Sequence, residues 1–204
     1  LHDALPILFK NFGDRVKYWL TINEQNMLTL AGQVIGALHL PKGCTNEMKE
    51  IYQQNHYMLV AQAKVMSLCH DMNPDAKIGP ALNISLVYAA SCRPEDVIAA
   101  QNFNAIRNWL YLDMAVYGVY NNLVWAWLEE HDATPDFAEG DAEALKSGHP
   151  DFIGLTTIIQ QLVNGKMVLL NVMVQLNNKQ LVVKKECSKD LETLTYQQLN
   201  LDGK

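Results

Sequence analysis

Asn23 and Glu24 close the stretch VKYWLTIN-E, in which Val16, Tyr18, Leu20 and Ile22 alternate with Lys17, Trp19, Thr21 and Asn23. β-Branched and aromatic residues with few charges predict a strand over residues 16–23. A carboxyl group delivered by a rigid strand end can give and take a proton, the work of a general acid or base. The same position also suits an ordinary loop carboxylate, with Asn23 as a strand-end cap, and spacing alone does not choose between the two. The remaining chemistry-bearing residues are sparser. His56 lies beside Tyr52 and Leu59 on a helical pattern and reads as a structural histidine. Trp109, Trp125 and Trp127 offer either packing or a flat platform for a sugar, with packing favoured. Glu129 and Glu130 read as a solvated helix end.

Several function classes are set aside by composition. The 204 residues carry a formal net charge of -6. Nucleic acid and anionic membrane surfaces call for a basic face instead. No apolar run approaches the roughly 18 residues of a membrane helix. The sequence holds no H-E-x-x-H, no P-loop and no G-x-G-x-x-G. Cys44, Cys69, Cys92 and Cys187 are far apart and form no C-x-x-C pair. They predict reduced thiols in a cytoplasmic protein rather than a disulfide framework.

The elements that must position Glu24 follow from periodicity. Residues 46–71 predict a long helix capped by Asn46, with Ile51, Tyr52, Met58, Leu59, Val65, Met66 and Cys69 at helical spacing, stopped by Asn73-Pro74. Lys77 to about Ser85 predicts a second strand. Asn83 falls near its end, either as a turn former or pointing into the same mouth as Glu24. Residues 94–118 predict helix, with WLYLDMAVYG largely buried. A polar connector with a short helix follows, and DFIGL at 151–155 predicts a third strand. Strands alternating with helices favour parallel β/α units. Such strands are buried on both faces, so a carboxylate belongs at a strand end, the position of the active site in β/α barrels.

KYWLTINEQN resembles the acid/base motif at the end of the fourth barrel strand in family-1 glycoside hydrolases. NFGDRVKYW is similar to that family's lead-in, PDAKIGPALN to its fifth strand, NWLYLDMAVYGVYNN to the helix and loop beyond it, and GHPDFIGL to the start of its sixth strand. The resemblance covers residues 8–155. NEQN in place of the more usual N-E-P resembles the bacterial 6-phospho-β-glucosidase subgroup. The fold so implied is α/β, a partial (β/α)8 TIM barrel comprising about strands 4 to 6. The function implied is a retaining β-glycosidase acting on a small-molecule β-glucoside or 6-phospho-β-glucoside, with no cofactor. Two carboxyl groups about 5 Å apart perform that reaction. On the family pattern Glu24 is the acid/base and Asn23 hydrogen-bonds the sugar 2-OH; Gln25, Asn26 and Met27, which follow the catalytic Glu, are weaker candidates to border the leaving-group subsite. Another β/α-barrel glycosidase family with an Asn-Glu motif, or a non-catalytic helical interaction module, are the alternatives.

The resemblance stops at Leu155, where the family continues N-Y-Y. Residues 156–204 contain no Trp, Phe, Pro, His or Arg, and all four tryptophans lie before the break. Codons for Thr-Thr-Ile-Ile-Gln-Gln, read in a shifted frame, can spell Asn-Tyr-Tyr-Asn-Thr-Ala. A divergent or frameshifted tail over 156–204 is therefore expected, with chance hairpins around Asn164-Gly165 or Asn177-Asn178. Residues 1–7, LHDALPI, are expected to be foreign to the family. The E-N-G motif of the family's nucleophile and its phosphate-binding loop have no counterpart in the sequence, so the chain is expected to be a catalytically incomplete fragment.

Overall fold

The computed structural model describes the backbone of residues 4–85, 87–163, 166–177 and 180–185, and side chains through Thr156. Helix α1 (Ala4–Phe12) leads into strand β1 (Tyr18–Asn23), the short helix α2 (Gln25–Ala31) and the long helix α3 (Glu47–Met72). Strand β2 (Lys77–Asn83) follows, then α4 (Pro94–Asn104), a π-helical turn (Ala105–Trp109) and α5 (Leu110–Tyr117). Helices α6 (Asn122–Glu130) and α7 (Asp141–Ser147) lead to strands β3 (Phe152–Val163), β4 (Lys166–Asn177) and β5 (Gln180–Lys185).

The local chemistry explains these boundaries. The Asn46 side chain accepts the Lys49 backbone N–H, and Glu47 and Glu50 occupy the positive first turn of α3. Helix α3 ends at Asn73, as the following proline predicts. Pro94 begins α4 without needing an N–H partner. Gly118, at φ 66°, closes α5 in the left-handed conformation that glycine tolerates best. The helix predicted over 94–118 is thus correct in extent but broken by the π turn, an insertion that sequence periodicity does not reveal.

Strands β1, β2 and β3 pair in parallel, in that order, as the β/α alternation predicts. β4 and β5 then add antiparallel to β3. Val163 pairs with Lys166 and Asn177 with Gln180, so two hairpins flank 164–165 and 178–179. The turn residues themselves lie outside the described residues. β3 runs without interruption through the change of composition at residue 156.

The main core lies between α3, the α5–α6 pair and the sheet. Leu59, Leu82, Leu110, Tyr111, Leu128 and Ile153 are buried there. A second cluster joins Phe9 of α1 to Met66, Cys69 and Ile78, with the Trp19 ring edge-on to Phe9 at 5.0 Å. Leu5 packs against this cluster, so α1 begins inside the segment expected to be foreign. Burial of WLYLDMAVYG is one-sided: Leu110, Tyr111, Met114 and Ala115 are buried, whereas Tyr117 is exposed.

One expectation needs correction. β1 is not buried on both faces, since Tyr18 and Leu20 are 59% and 56% exposed. It is the sheet's edge, paired among the described residues only with β2, so its second flank is open. Its helix-facing residues are nonetheless anchored: the Thr21 hydroxyl donates to Gln62 Oε1 on α3 at 2.8 Å.

Candidate active site

The C-terminal ends of β1 and β2, and Thr156 partway along β3, converge on Glu24. The residue follows the last position of β1 and caps α2, and its backbone adopts φ 51°, ψ 45°. That left-handed conformation costs a non-glycine residue about 1–2 kcal/mol. Strain of this kind persists where surrounding contacts enforce it, and it clusters at functional sites. Here the Glu24 N–H donates to Ala81 O on β2 at 2.7 Å, and α2 turns away immediately afterward. The strand-to-helix kink directs the carboxylate across the sheet ends.

Two side chains from the neighbouring strands meet it. The Thr156 hydroxyl of β3 lies 2.6 Å from Glu24 Oε1, and Asn83 Nδ2 of β2 donates to the same oxygen at 3.2 Å. Thr156 Oγ1 also lies 3.2 Å from Leu82 O. Its single proton can therefore serve the carbonyl whenever Glu24 itself donates to the hydroxyl. The arrangement accommodates both the ionised and the protonated carboxyl group.

Gln25 and Asn26 do not line an open subsite. They are 1% and 0% exposed. Gln25 Nε2 donates to Asn55 Oδ1 at 2.9 Å, tying α2 to α3. Asn26 completes the sheet instead. Its Nδ2 donates to Asn83 O at 2.6 Å, while its Oδ1 accepts the Asn83 N–H at 3.1 Å. The carboxamide thus stands in for the backbone of a neighbouring strand where the kink at Glu24 has ended the ladder. Asn23, by contrast, is exposed at the end of β1.

Arg107, on the π turn, was not singled out by sequence. It is 6% exposed, and its guanidinium donates to both Asn83 O and Asn83 Oδ1 at 2.7 Å. Burial lowers its pKa, and the nearby Glu24 carboxylate opposes that shift. Its own carbonyl accepts from Asn26 Nδ2 at 3.3 Å. Asn108, the next residue, donates to Ser85 O and accepts the Ser85 N–H, holding the loop after β2. Tyr111 reaches the Thr29 hydroxyl of α2 at 2.6 Å, and burial raises its pKa strongly. Thr156 was missed as well, because it begins the segment expected to lie outside the family.

The other candidates lie elsewhere. His56 is fully buried between Tyr120 Oη at 3.1 Å and Asp141 Oδ2 at 3.3 Å, a structural role, and burial lowers its pKa. Trp127 sits edge-on to Tyr52, and Trp125 edge-on to Tyr120 and Phe137, as packing predicts. Trp125 Nε1 donates to Glu129, which is exposed together with Glu130. Among the described residues, no cluster of His, Cys, Asp and Glu could hold a metal ion, and no helix is long and apolar enough to cross a membrane. Among the described residues, Cys44, Cys69 and Cys92 form no disulfide.

Comparison with known proteins places the chain in a family. The chain is 38% identical over 148 residues to the aryl-phospho-beta-D-glucosidase BglC of Bacillus subtilis (strain 168), covering 72% of this chain and 30% of that protein. It is 35% identical over 150 residues to a 6-phospho-beta-glucosidase of Dickeya chrysanthemi, covering 73% and 31%. Among solved structures, a family 1 b-glucosidase from Thermotoga maritima superposes with a TM-score of 0.63 at 27% identity, over 82% of this chain and 38% of that one. The chain therefore spans about a third of the length of these relatives. The profile of Glycosyl hydrolase family 1 matches residues 4–199, reaching beyond residue 155 at one end and into LHDALPI at the other. With that match over most of its length, and the strand-end carboxylate in place, the chain belongs to glycosyl hydrolase family 1.

Proposed function

We propose that this chain carries the acid/base side of a retaining β-glucosidase active site. The observation behind this reading is Glu24, held in a left-handed backbone where β1 and β2 end, with Asn83 and Thr156 on its carboxylate. In the first step Glu24 protonates the glycosidic oxygen while a second carboxylate attacks the anomeric carbon. In the second step Glu24 takes a proton from the water that releases the sugar. Asn23, exposed beside it, hydrogen-bonds the sugar 2-OH. Gln25 and Asn26, being buried, serve as positioning residues rather than substrate ligands, and Asn83 orients Glu24. The second carboxylate belongs to the part of the relatives' length that this chain does not span. The reaction needs no metal or organic cofactor, because the two carboxyl groups carry it. We place the protein in the cytoplasm, in keeping with the lack of a disulfide among the described cysteines.

The substrate class we favour is a 6-phospho-β-glucoside, on the NEQN motif and the similarity to phospho-glucosidases. The complete enzyme carrying this segment is expected to hydrolyse an aryl 6-phospho-β-glucoside with a higher kcat/KM than the unphosphorylated aryl β-glucoside, and to release the β-anomer first. Steady-state assays with both substrates and NMR of the nascent sugar check this. Preference for the neutral substrate would correct the substrate class, and an α-anomer product or inactivity on both would overturn the function.

For the chain's organisation, we take residues 8–155 as the segment that carries the family's catalytic chemistry. We take residues 1–7 as a foreign start and residues 156–204 as a divergent or frameshifted tail, on their departure from the family's motifs, although the family profile runs over residues 4–199 and Thr156 meets Glu24. The encoding DNA, read in all three frames, is expected to show Asn-Tyr-Tyr in a shifted frame after the Leu155 codon. An uninterrupted frame with the tail detected by mass spectrometry would overturn this division.

A further inference from the structure

Asn83 lies between a group with only donors and a group whose charge state must change. Its side-chain oxygen faces the Arg107 guanidinium at 2.7 Å, and its side-chain nitrogen faces Glu24 Oε1 at 3.2 Å. The two ends of a carboxamide have nearly the same shape, so its orientation has to be decided by the partners. Guanidinium has five N–H donors and no acceptor, so only the amide oxygen can satisfy it. Arg107 also grips the Asn83 backbone carbonyl, and Asn26 holds the same residue through both its N–H and its carbonyl. Asn83 is thus fixed in place and in sense. The amide can offer Glu24 a donor and never an acceptor.

We propose that Arg107 is a positioning residue for the acid/base step: by fixing the sense of the Asn83 amide, it commits one hydrogen bond to the ionised form of Glu24. The proposal rests on the assignment of Glu24 as acid/base and goes beyond it. Once the leaving group has departed, Glu24 has given up its proton and must remain anionic until it takes one from water. The Asn83 donor stabilises that anion throughout the interval. Thr156 serves both states, since its hydroxyl can donate to the anion or accept from the acid while turning its own proton to Leu82 O. Without Arg107, the Asn83 amide is free to turn, and its oxygen then faces the anion repulsively. The first step, in which that anion forms, suffers most.

The test is a double-mutant cycle in the complete enzyme carrying this segment. A β-glycoside with a poor leaving group is used, so that the first step, which forms the anion, limits turnover. Arg107→Met should lower kcat roughly 10- to 100-fold, the worth of a hydrogen bond to a charged group, with KM little changed. Arg107→Lys, which still presents donors only, should recover much of the loss. In a Glu24→Gln background, Arg107→Met should change kcat by less than about 3-fold, because no anion remains to be stabilised. Equal losses in both backgrounds, or an unchanged kcat in Arg107→Met, would overturn the proposal. NMR of the unmutated enzyme gives a second reading that does not depend on the variants folding. The Asn83 side-chain amide protons should shift as Glu24 titrates, and a resonance indifferent to Glu24 overturns the proposal. If Glu24→Gln alone shows no dependence on the leaving group, the proposed function fails and the Arg107 role with it; an Arg107→Met loss that persists equally in Glu24→Gln overturns the Arg107 role alone.

Discussion

In the complete enzyme carrying this segment, Glu24→Gln is expected to lower kcat/KM by roughly 10²–10⁴-fold on a substrate with a poor leaving group. An alkoxide or sugar alkoxide departs only if its oxygen is protonated as the bond breaks, and Glu24 is the proton donor proposed for that oxygen. An activated aryl leaving group needs little protonation, so its first step should suffer far less. Glutamine keeps the shape and can still accept from Asn83 and Thr156, so the loss measures proton transfer and not collapse of the site. Azide should restore turnover of the activated substrate and yield a β-configured glycosyl azide, because it enters on the face that water uses. Kinetics on paired substrates and NMR of the azide product provide the measurement. An unchanged rate on the poor substrate would sink the acid/base assignment.

Asp151→Asn is expected to destabilise the protein by about 2–4 kcal/mol at pH 7. Asp151, immediately before β3, accepts from His70 Nε2 at 2.8 Å, from Lys77 Nζ at 2.9 Å and from the Ile78 N–H at 2.9 Å. One carboxylate thereby joins the end of α3, the start of β2 and the start of β3. Burial alone would raise its pKa, but these hydrogen bonds together outweigh burial and hold it below the ordinary carboxylate value. The Lys77 pKa is raised, chiefly by its hydrogen bond to Asp151. Because the folded-state pKa of Asp151 lies below the unfolded value of about 3.9, its contribution is present above that pH. It is lost as the pH falls through the folded-state pKa. The Asn variant lacks this term, so the two stability curves should converge in acid. Urea denaturation at pH 7, 5 and 3 tests this, and a gap that does not narrow in acid would refute the electrostatic origin.

The sequence made the scaffold of the site legible and left its inner wiring hidden. Periodicity located β1, α3 and β2, and the cap at Asn46 and the stop at Asn73 were visible as residue types at fixed offsets. Glu24 was found from its place after a strand and from the family motif. Arg107 was not, because an arginine inside an apolar helical stretch gives no sign that a π turn will rotate it toward a strand end. Gln25 and Asn26, polar residues beside a catalytic candidate, looked like subsite residues. They are instead buried because the kink at Glu24 leaves backbone groups on β2 that need partners, a demand that exists only in three dimensions. The exposure of β1 is equally a matter of neighbours: composition shows that a strand is apolar, not which of its flanks is covered.

The partners of Glu24 also lie far away along the chain. Asn83 is 59 residues from it and Thr156 is 132. At roughly 5–20 residues per second of synthesis, Thr156 is added about 7–26 seconds after Glu24. Within that interval α3 can already form from local contacts, whereas the carboxylate still lacks the Thr156 hydroxyl. Competence for proton transfer is thus among the last properties the growing chain acquires, and a product truncated before residue 156 would hold much of the scaffold without the site.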